Sequence, residues 1–246
     1  MRSVLPPVTQ NLLIITVIVW VATIVLRKVG IIDLDQLLGL HFWLGSDFNP
    51  AQLVTYMFMH DTAQGFASFS HIFFNMFSLW MFGVTLERVL GAKRFLTYYL
   101  VCGIGGGIIQ ELTWQLSWQS ILADINGMDT ATLNQVIAGG GATIQNQLNS
   151  FYNSLVTVGA SAAVFGILLA FGVFFPNMKL FIIPIPVPIK AKWLVIGYGL
   201  LELVFGVTGA MSGVAHFAHL GGMLFGLLLI IYWRKRGIIG GGHGYY

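Results

Sequence analysis

The chain has 246 residues, 57% hydrophobic and 9% charged, with a formal net charge of +3 at pH 7. A soluble domain carries roughly 25% charged residues, so this composition excludes a solvated surface of ordinary size. The scattered basic residues exclude a nucleic-acid footprint, and a single cysteine, Cys102, excludes an intrachain disulfide.

Several apolar runs are long enough to cross a bilayer, and they are continuous rather than alternating, which specifies helices and not a barrel. The first predicted span covers 9–27. Only Arg2 precedes it among basic residues and no small-residue cleavage site follows, so it reads as a retained signal anchor. A loop over 28–69 mixes polar and aromatic residues, including His41-Phe42-Trp43. Spans at 70–90 and 94–115 follow, then a loop over 116–157 rich in Asn, Gln, Ser, Thr and Gly. The fourth span, 158–176, is joined to the fifth, 193–210, by a segment that Pro184, Pro186 and Pro188 hold extended. The sixth covers 214–233, and a glycine-rich tail, 237–246, reads as flexible. The fold class is therefore an all-α polytopic membrane protein, a six-helix bundle forming one domain over 1–246. No internal repeat supports an inverted-repeat transporter.

Charge predicts the orientation. With the N-terminus cytoplasmic, ten of the twelve Lys and Arg residues fall on the cytoplasmic side, Arg27 and Lys28 being the two outside. The positive-inside rule then places both termini in the cytoplasm and both long loops outside. It also brings Ser161, His219, His71 and Asn75, from three different spans, to one depth near the outer face.

Polar groups at the head of lipid-spanning helices are costly, and their default reading is functional. Ser161 follows Gly159 at a helix start, where unpartnered backbone N–H groups, its own included, favour developing negative charge. Ala160, Ala162 and Ala163 are small enough to leave room for a peptide backbone. A lone Gly-x-Ser also fits a serine bonded to the preceding turn. His219 changes that balance: with Gly222 and Gly226 it forms one helix face, along which a neighbouring helix can approach closely. If the neighbour is the fourth span, the imidazole meets the serine hydroxyl as a general base. His71 and Asn75, at i and i+4, can both donate to an oxyanion, or tie the first loop by its backbone. His216 lies on the face of His219, but a hydrolytic zinc site needs a third ligand and a carboxylate base as in His-Glu-x-x-His. No acidic residue is a sequence neighbour of either histidine, so no metal is expected. His41 and His60 read as loop-ordering, Glu87 and Arg88 as paired or solvated at a helix end, and Glu202 as hydrogen-bonded to a neighbouring helix.

His71-x-x-x-Asn75, Gly83-x-x-x-Glu87-x-x-x-Gly91, Gly159-x-Ser161 and Ala218-His219-x-x-Gly222-x-x-x-Gly226 together resemble the rhomboid intramembrane serine proteases, in order, across about 40–233. The resemblance implies a six-helix core and a Ser161–His219 dyad without a third acidic member. It implies oxyanion donation by His71 and Asn75 and a lateral gate at 193–210. It also implies cleavage of single-pass membrane proteins near the outer face, with the lipid bilayer as the other partner and no cofactor. The expected location is a bacterial plasma membrane. The family's usual Gly-x-Ser-Gly reads Gly-x-Ser-Ala here, a one-methyl change narrowing the pocket, and the 116–157 loop is longer than a minimal rhomboid needs. The competing class is a rhomboid-like adaptor that binds transmembrane helices without cutting them.

Overall fold

The structure, a computed structural model, describes residues 5–62, 66–182, 185–209 and 214–239. Helix α1 (Pro7–Val29) starts on prolines, whose fixed φ and missing N–H suit a first turn. Many of its large apolar side chains, among them Ile18 and Val25, point outward, while Thr9, Thr16 and Thr23 face the interior at heptad spacing. Small polar faces inward and apolar faces outward are the pattern of helices packing in lipid. The first turn of α1 is held by Glu87, whose buried carboxylate accepts the N–H groups of Val8 (2.9 Å) and Thr9 (2.7 Å) and the Thr9 hydroxyl (2.8 Å). Of the two alternatives its position offers, paired or solvated, Glu87 is therefore partnered. It closes a helix N-terminus, where a negative charge is favoured.

The first long loop folds into α2 (Leu34–Leu38), β1 (Leu40–His41), α3 (Gln52–Thr55) and a 3₁₀ turn at Tyr56–Phe58. The second span is α4 (Phe66–Ser78), a π-turn at Leu79–Gly83, and α5 (Val84–Leu90). Helix α6 (Ala92–Ile125) runs well past the predicted end at 115. The expected loop over 116–157 is largely helical, with α7 (Thr130–Gly139) and α8 (Gly141–Ser154). Its polar composition conceals a real helix start: Asp129 accepts the Thr132 N–H at 2.7 Å, an N-cap. Tyr152 of α8 packs edge-on against Trp118 of α6 and Phe42 of the first loop, joining the two loops.

Strand β2 (Val156–Thr157) pairs antiparallel with β1 immediately before α9 (Ser161–Phe174). Strands β3 (Lys179–Ile182) and β4 (Ile185–Lys190) form a hairpin, so the proline-rich segment is extended, although Pro184 lies outside the described residues. Helices α10 (Ala191–Thr208) and α11 (His216–Lys235) complete the bundle. Ile239 is buried against the core, which corrects the expected flexible tail at its start, and 240–246 lie outside the described residues.

Among the described residues five helices are long and apolar enough to cross a membrane, and α9 is a shorter apolar helix. The interior is built on α6, α9 and α11, which share the most extensive helix–helix interfaces. A Cβ on Gly106 of α6 would stand 2.7 Å from the Ala218 carbonyl oxygen, and one on Gly222 of α11 would stand 2.7 Å from the Ala162 carbonyl carbon. Neither is possible without moving backbone, so these glycines fix the spacing that puts the start of α9 against the start of α11. Tyr98 donates to the Gly166 carbonyl at 2.8 Å, pinning α6 to α9, and Tyr56 donates to the Gly103 carbonyl at 2.6 Å, pinning the 3₁₀ turn to α6.

Candidate active site

The approach to Ser161 is pegged at successive residues. Gly159 donates its N–H to the Tyr56 carbonyl at 2.9 Å, and Ala160 donates to His60 Nε2 at 3.5 Å. Gly159 has φ +132°, a region open essentially to glycine, and this lets the chain turn from β2 into α9. Burial, with His71 alongside, pushes His60 down to about 3, which keeps it neutral and able to accept. His41 bonds the Asn153 carbonyl at 3.1 Å and the Gln36 carbonyl at 2.7 Å, so both loop histidines order the loop, as their positions suggest.

His219, in the first turn of α11, lies 2.8 Å from Ser161 Oγ through Nε2. The serine proton points at nitrogen only in the tautomer that carries hydrogen on Nδ1. Nδ1 faces Glu202 Oε2 at 2.9 Å, and His216 Nδ1 faces the same oxygen at 2.7 Å. The Phe165 ring stacks on the His219 imidazole with centroids 4.3 Å apart and planes 7° off parallel, fixing its orientation. The local sequence offers these histidines no acidic group and the family resemblance implies none; the carboxylate arrives from α10, and Glu202 makes the hydrogen bond to a neighbouring helix expected of it. These three polar atoms lie within 4.8 Å of one another, a grouping of the kind that holds metal ions. The donor–acceptor distances are those of charge-assisted hydrogen bonds, and the other nitrogen of His219 is engaged by Ser161. We therefore read the trio as a hydrogen-bond network.

The remaining predicted residues divide. A Cβ built on Gly159 would stand 3.1 Å from His71 Nε2 and 3.6 Å from Ser161 Oγ. The absence of a side chain at Gly159 thus lets the backbone lie close to both an imidazole nitrogen and the candidate nucleophile. Asn75 is buried and donates its amide to the His71 carbonyl at 3.0 Å, a bond along its own helix. Ala160 and Ala162 are not brought to an open subsite: both are buried in the helix packing. A Cβ on Gly106 would meet the Ala162 methyl at 2.5 Å, so the extra methyl of Gly-x-Ser-Ala is absorbed by α6 and does not narrow the pocket.

Glu202 was visible from sequence as an ionisable residue inside a span, but its partners were not. The available signal was the antiparallel pairing of the last two spans. Glu202 lies within two turns of the end of α10 and His219 in the first turn of α11, so a helical hairpin brings them near one another.

Comparison with known proteins gives a consistent picture. Residues 48–236 match the rhomboid domain family model. The chain is 28% identical over 160 residues to "Rhomboid protein 1, mitochondrial" of Saccharomyces cerevisiae, covering 65% of this chain and 37% of that one. It is 27% identical over 167 residues to "Rhomboid protease AarA" of Providencia stuartii, covering 66% and 50%. It is 37% identical over 67 residues to "Putative rhomboid protease YdcA" of Bacillus subtilis, covering 27% and 31%. The matched segments span at most half the length of these relatives.

Proposed function

This chain belongs to the rhomboid family of integral membrane proteins, and on that premise we propose that it is an intramembrane serine endopeptidase that cuts single-pass membrane proteins near the outer face. The observation that carries this reading is the 2.8 Å hydrogen bond between Ser161 Oγ and His219 Nε2, at the close-packed start of two helices.

In this reaction a locally unwound substrate segment presents a carbonyl beside Gly159. Ser161 Oγ attacks the carbonyl carbon as its proton passes to His219 Nε2. The resulting oxyanion takes hydrogen bonds from the Ser161 N–H and from His71. Collapse breaks the C–N bond, and His219 returns the proton to the leaving amine. A water molecule, deprotonated by the same imidazole, then hydrolyses the acyl-enzyme and restores the hydroxyl. The outer-face assignment rests on the charge distribution, with ten of twelve basic residues on the other side.

The test is co-expression with a panel of tagged single-pass proteins, comparing the native chain with Ser161→Ala and His219→Ala. A product made by the native chain and lost in both variants at equal expression is the expected result. Cleavage that persists in Ser161→Ala would remove the assignment. No product from any substrate, together with a serine that no active-site probe labels, would leave the adaptor reading in its place.

A further inference from the structure

We propose that Glu202 is a positioning residue for His219, so that hydrolysis is performed by a Ser161–His219–Glu202 relay assembled from three helices. The proposal rests on the hydrolytic reading above and adds to the serine and histidine a member that the family resemblance does not supply.

Both ends of one imidazole are engaged: Nε2 with Ser161 Oγ at 2.8 Å and Nδ1 with Glu202 Oε2 at 2.9 Å. An ionised carboxylate only accepts, so it selects the tautomer with hydrogen on Nδ1. That tautomer leaves the Nε2 lone pair for the serine proton. When the proton arrives, the ring becomes an imidazolium with a carboxylate against its other side. The Nδ1 proton stays on nitrogen throughout, and the proton at Nε2 leaves with the amine.

The surroundings fit this task better than a simple tie between helices. Glu202 is the one charged side chain between Lys192 and His216. It sits 12% exposed on a helix whose neighbouring residues Leu201 and Leu203 are 49% and 46% exposed. A carboxylate held inside an otherwise sparsely packed span is costly and persists only with partners. His216 alone, at 2.7 Å, would satisfy a structural tie. Instead the oxygen that His216 holds in place is also the one aimed at the base. Because Glu202 belongs to α10 and His219 to α11, the base stays aligned only while α10 is docked.

The experiment compares Glu202→Gln, Glu202→Asp and Ser161→Ala with the native chain, purified and reconstituted in liposomes with a cleavable single-pass substrate. Turnover, KM and thermal stability are measured on the folded, monodisperse fraction, and the downfield imidazole Nδ1–H resonance is recorded on the same samples. Loss of one charge-assisted hydrogen bond corresponds to a roughly 10- to 150-fold fall in kcat. We expect Glu202→Gln to show that fall with KM unchanged and the resonance displaced. Glu202→Asp, which keeps the charge at shorter reach, recovers part of the rate, and Ser161→Ala loses cleavage but keeps the resonance. Native kcat in Glu202→Gln overturns the proposal while leaving the serine protease intact. A fall in stability with kcat and resonance unchanged in the folded fraction also overturns it, because it would make Glu202 a structural tie. Cleavage by Ser161→Ala overturns the hydrolytic reading itself, and the proposal with it.

Discussion

Replacing Gly222 by alanine tests the claim that helix spacing sets the site. The added Cβ would stand 2.7 Å from the Ala162 carbonyl carbon and closer still to its oxygen. Carbon atoms rest at about 3.5–4.0 Å, so α11 must withdraw from α9 by roughly 1 Å, since neither partner is a flexible side-chain end. Ala162 adjoins Ser161, and His219 lies one turn from Gly222, so the displacement passes directly into the 2.8 Å bond between Ser161 and His219. At about 1 Å longer that bond is lost, and a misplacement of this size costs on the order of 100-fold in rate. Stability moves less, because about 1–3 kcal/mol of overpacking is partly offset by about 1 kcal/mol of gained helix propensity. The assay is kcat on a reconstituted single-pass substrate, with thermal unfolding alongside and Gly197→Ala as the control, since nothing lies within 4 Å of a Cβ there. Native turnover in Gly222→Ala would refute the reasoning.

Further perturbations probe separate links. Gly159→Ala introduces a methyl 3.1 Å from His71 Nε2 at a backbone φ of +132°. It should abolish cleavage and cost about 1–3 kcal/mol of strain, and an active Gly159→Ala enzyme would move the oxyanion elsewhere. Glu87→Ala leaves three donors at the start of α1 without their buried acceptor. We expect a stability loss on the order of 2–3 kcal/mol, read as a lower unfolding temperature, with cleavage by the folded fraction retained; an unchanged temperature would contradict the capping role. His60, held down to about 3, binds a proton more readily unfolded than folded, so its contribution is complete above about pH 6.5 and shrinks as pH falls toward 3. Its share of the slope is up to about 1.4 kcal/mol per pH unit. His60→Gln, compared with the native chain by thermal unfolding across that window, should flatten the profile, and identical profiles would remove His60 from the account. Chelation should leave cleavage unchanged, whereas activity lost to EDTA and restored by zinc would assign Glu202, His216 and His219 to a metal.

Much of this was legible in the sequence because the chemistry is concentrated in helix starts. The spacing of His219, Gly222 and Gly226 announces a face that a second helix approaches, and Gly222 against Ala162 is that approach. Apolar runs locate the spans because lipid enforces continuous hydrophobicity. What escaped depends on contacts between distant segments. Glu87 looks like an end residue either paired or solvated until α1 is seen to place its first N–H groups on it. Ala162 looks like pocket lining until Gly106 is seen to receive its methyl. Residues 116–157 look like a polar loop because α7 and α8 have few buried side chains, and α8 is anchored by Leu148 and by Tyr152 against Trp118. Glu202 is recognisable as unusual, but its two histidine partners follow only from the pairing of α10 with α11.

The central claim is that Ser161 is a nucleophile activated by His219, and covalent labelling tests it most directly. The folded protein is treated with a fluorophosphonate, digested, and the adduct located by mass spectrometry in the native chain, His219→Ala and Ser161→Ala. The account predicts an adduct on Ser161 in the native chain, strongly reduced in His219→Ala and absent in Ser161→Ala. A folded native chain that takes no label, or labels equally without His219, would contradict it.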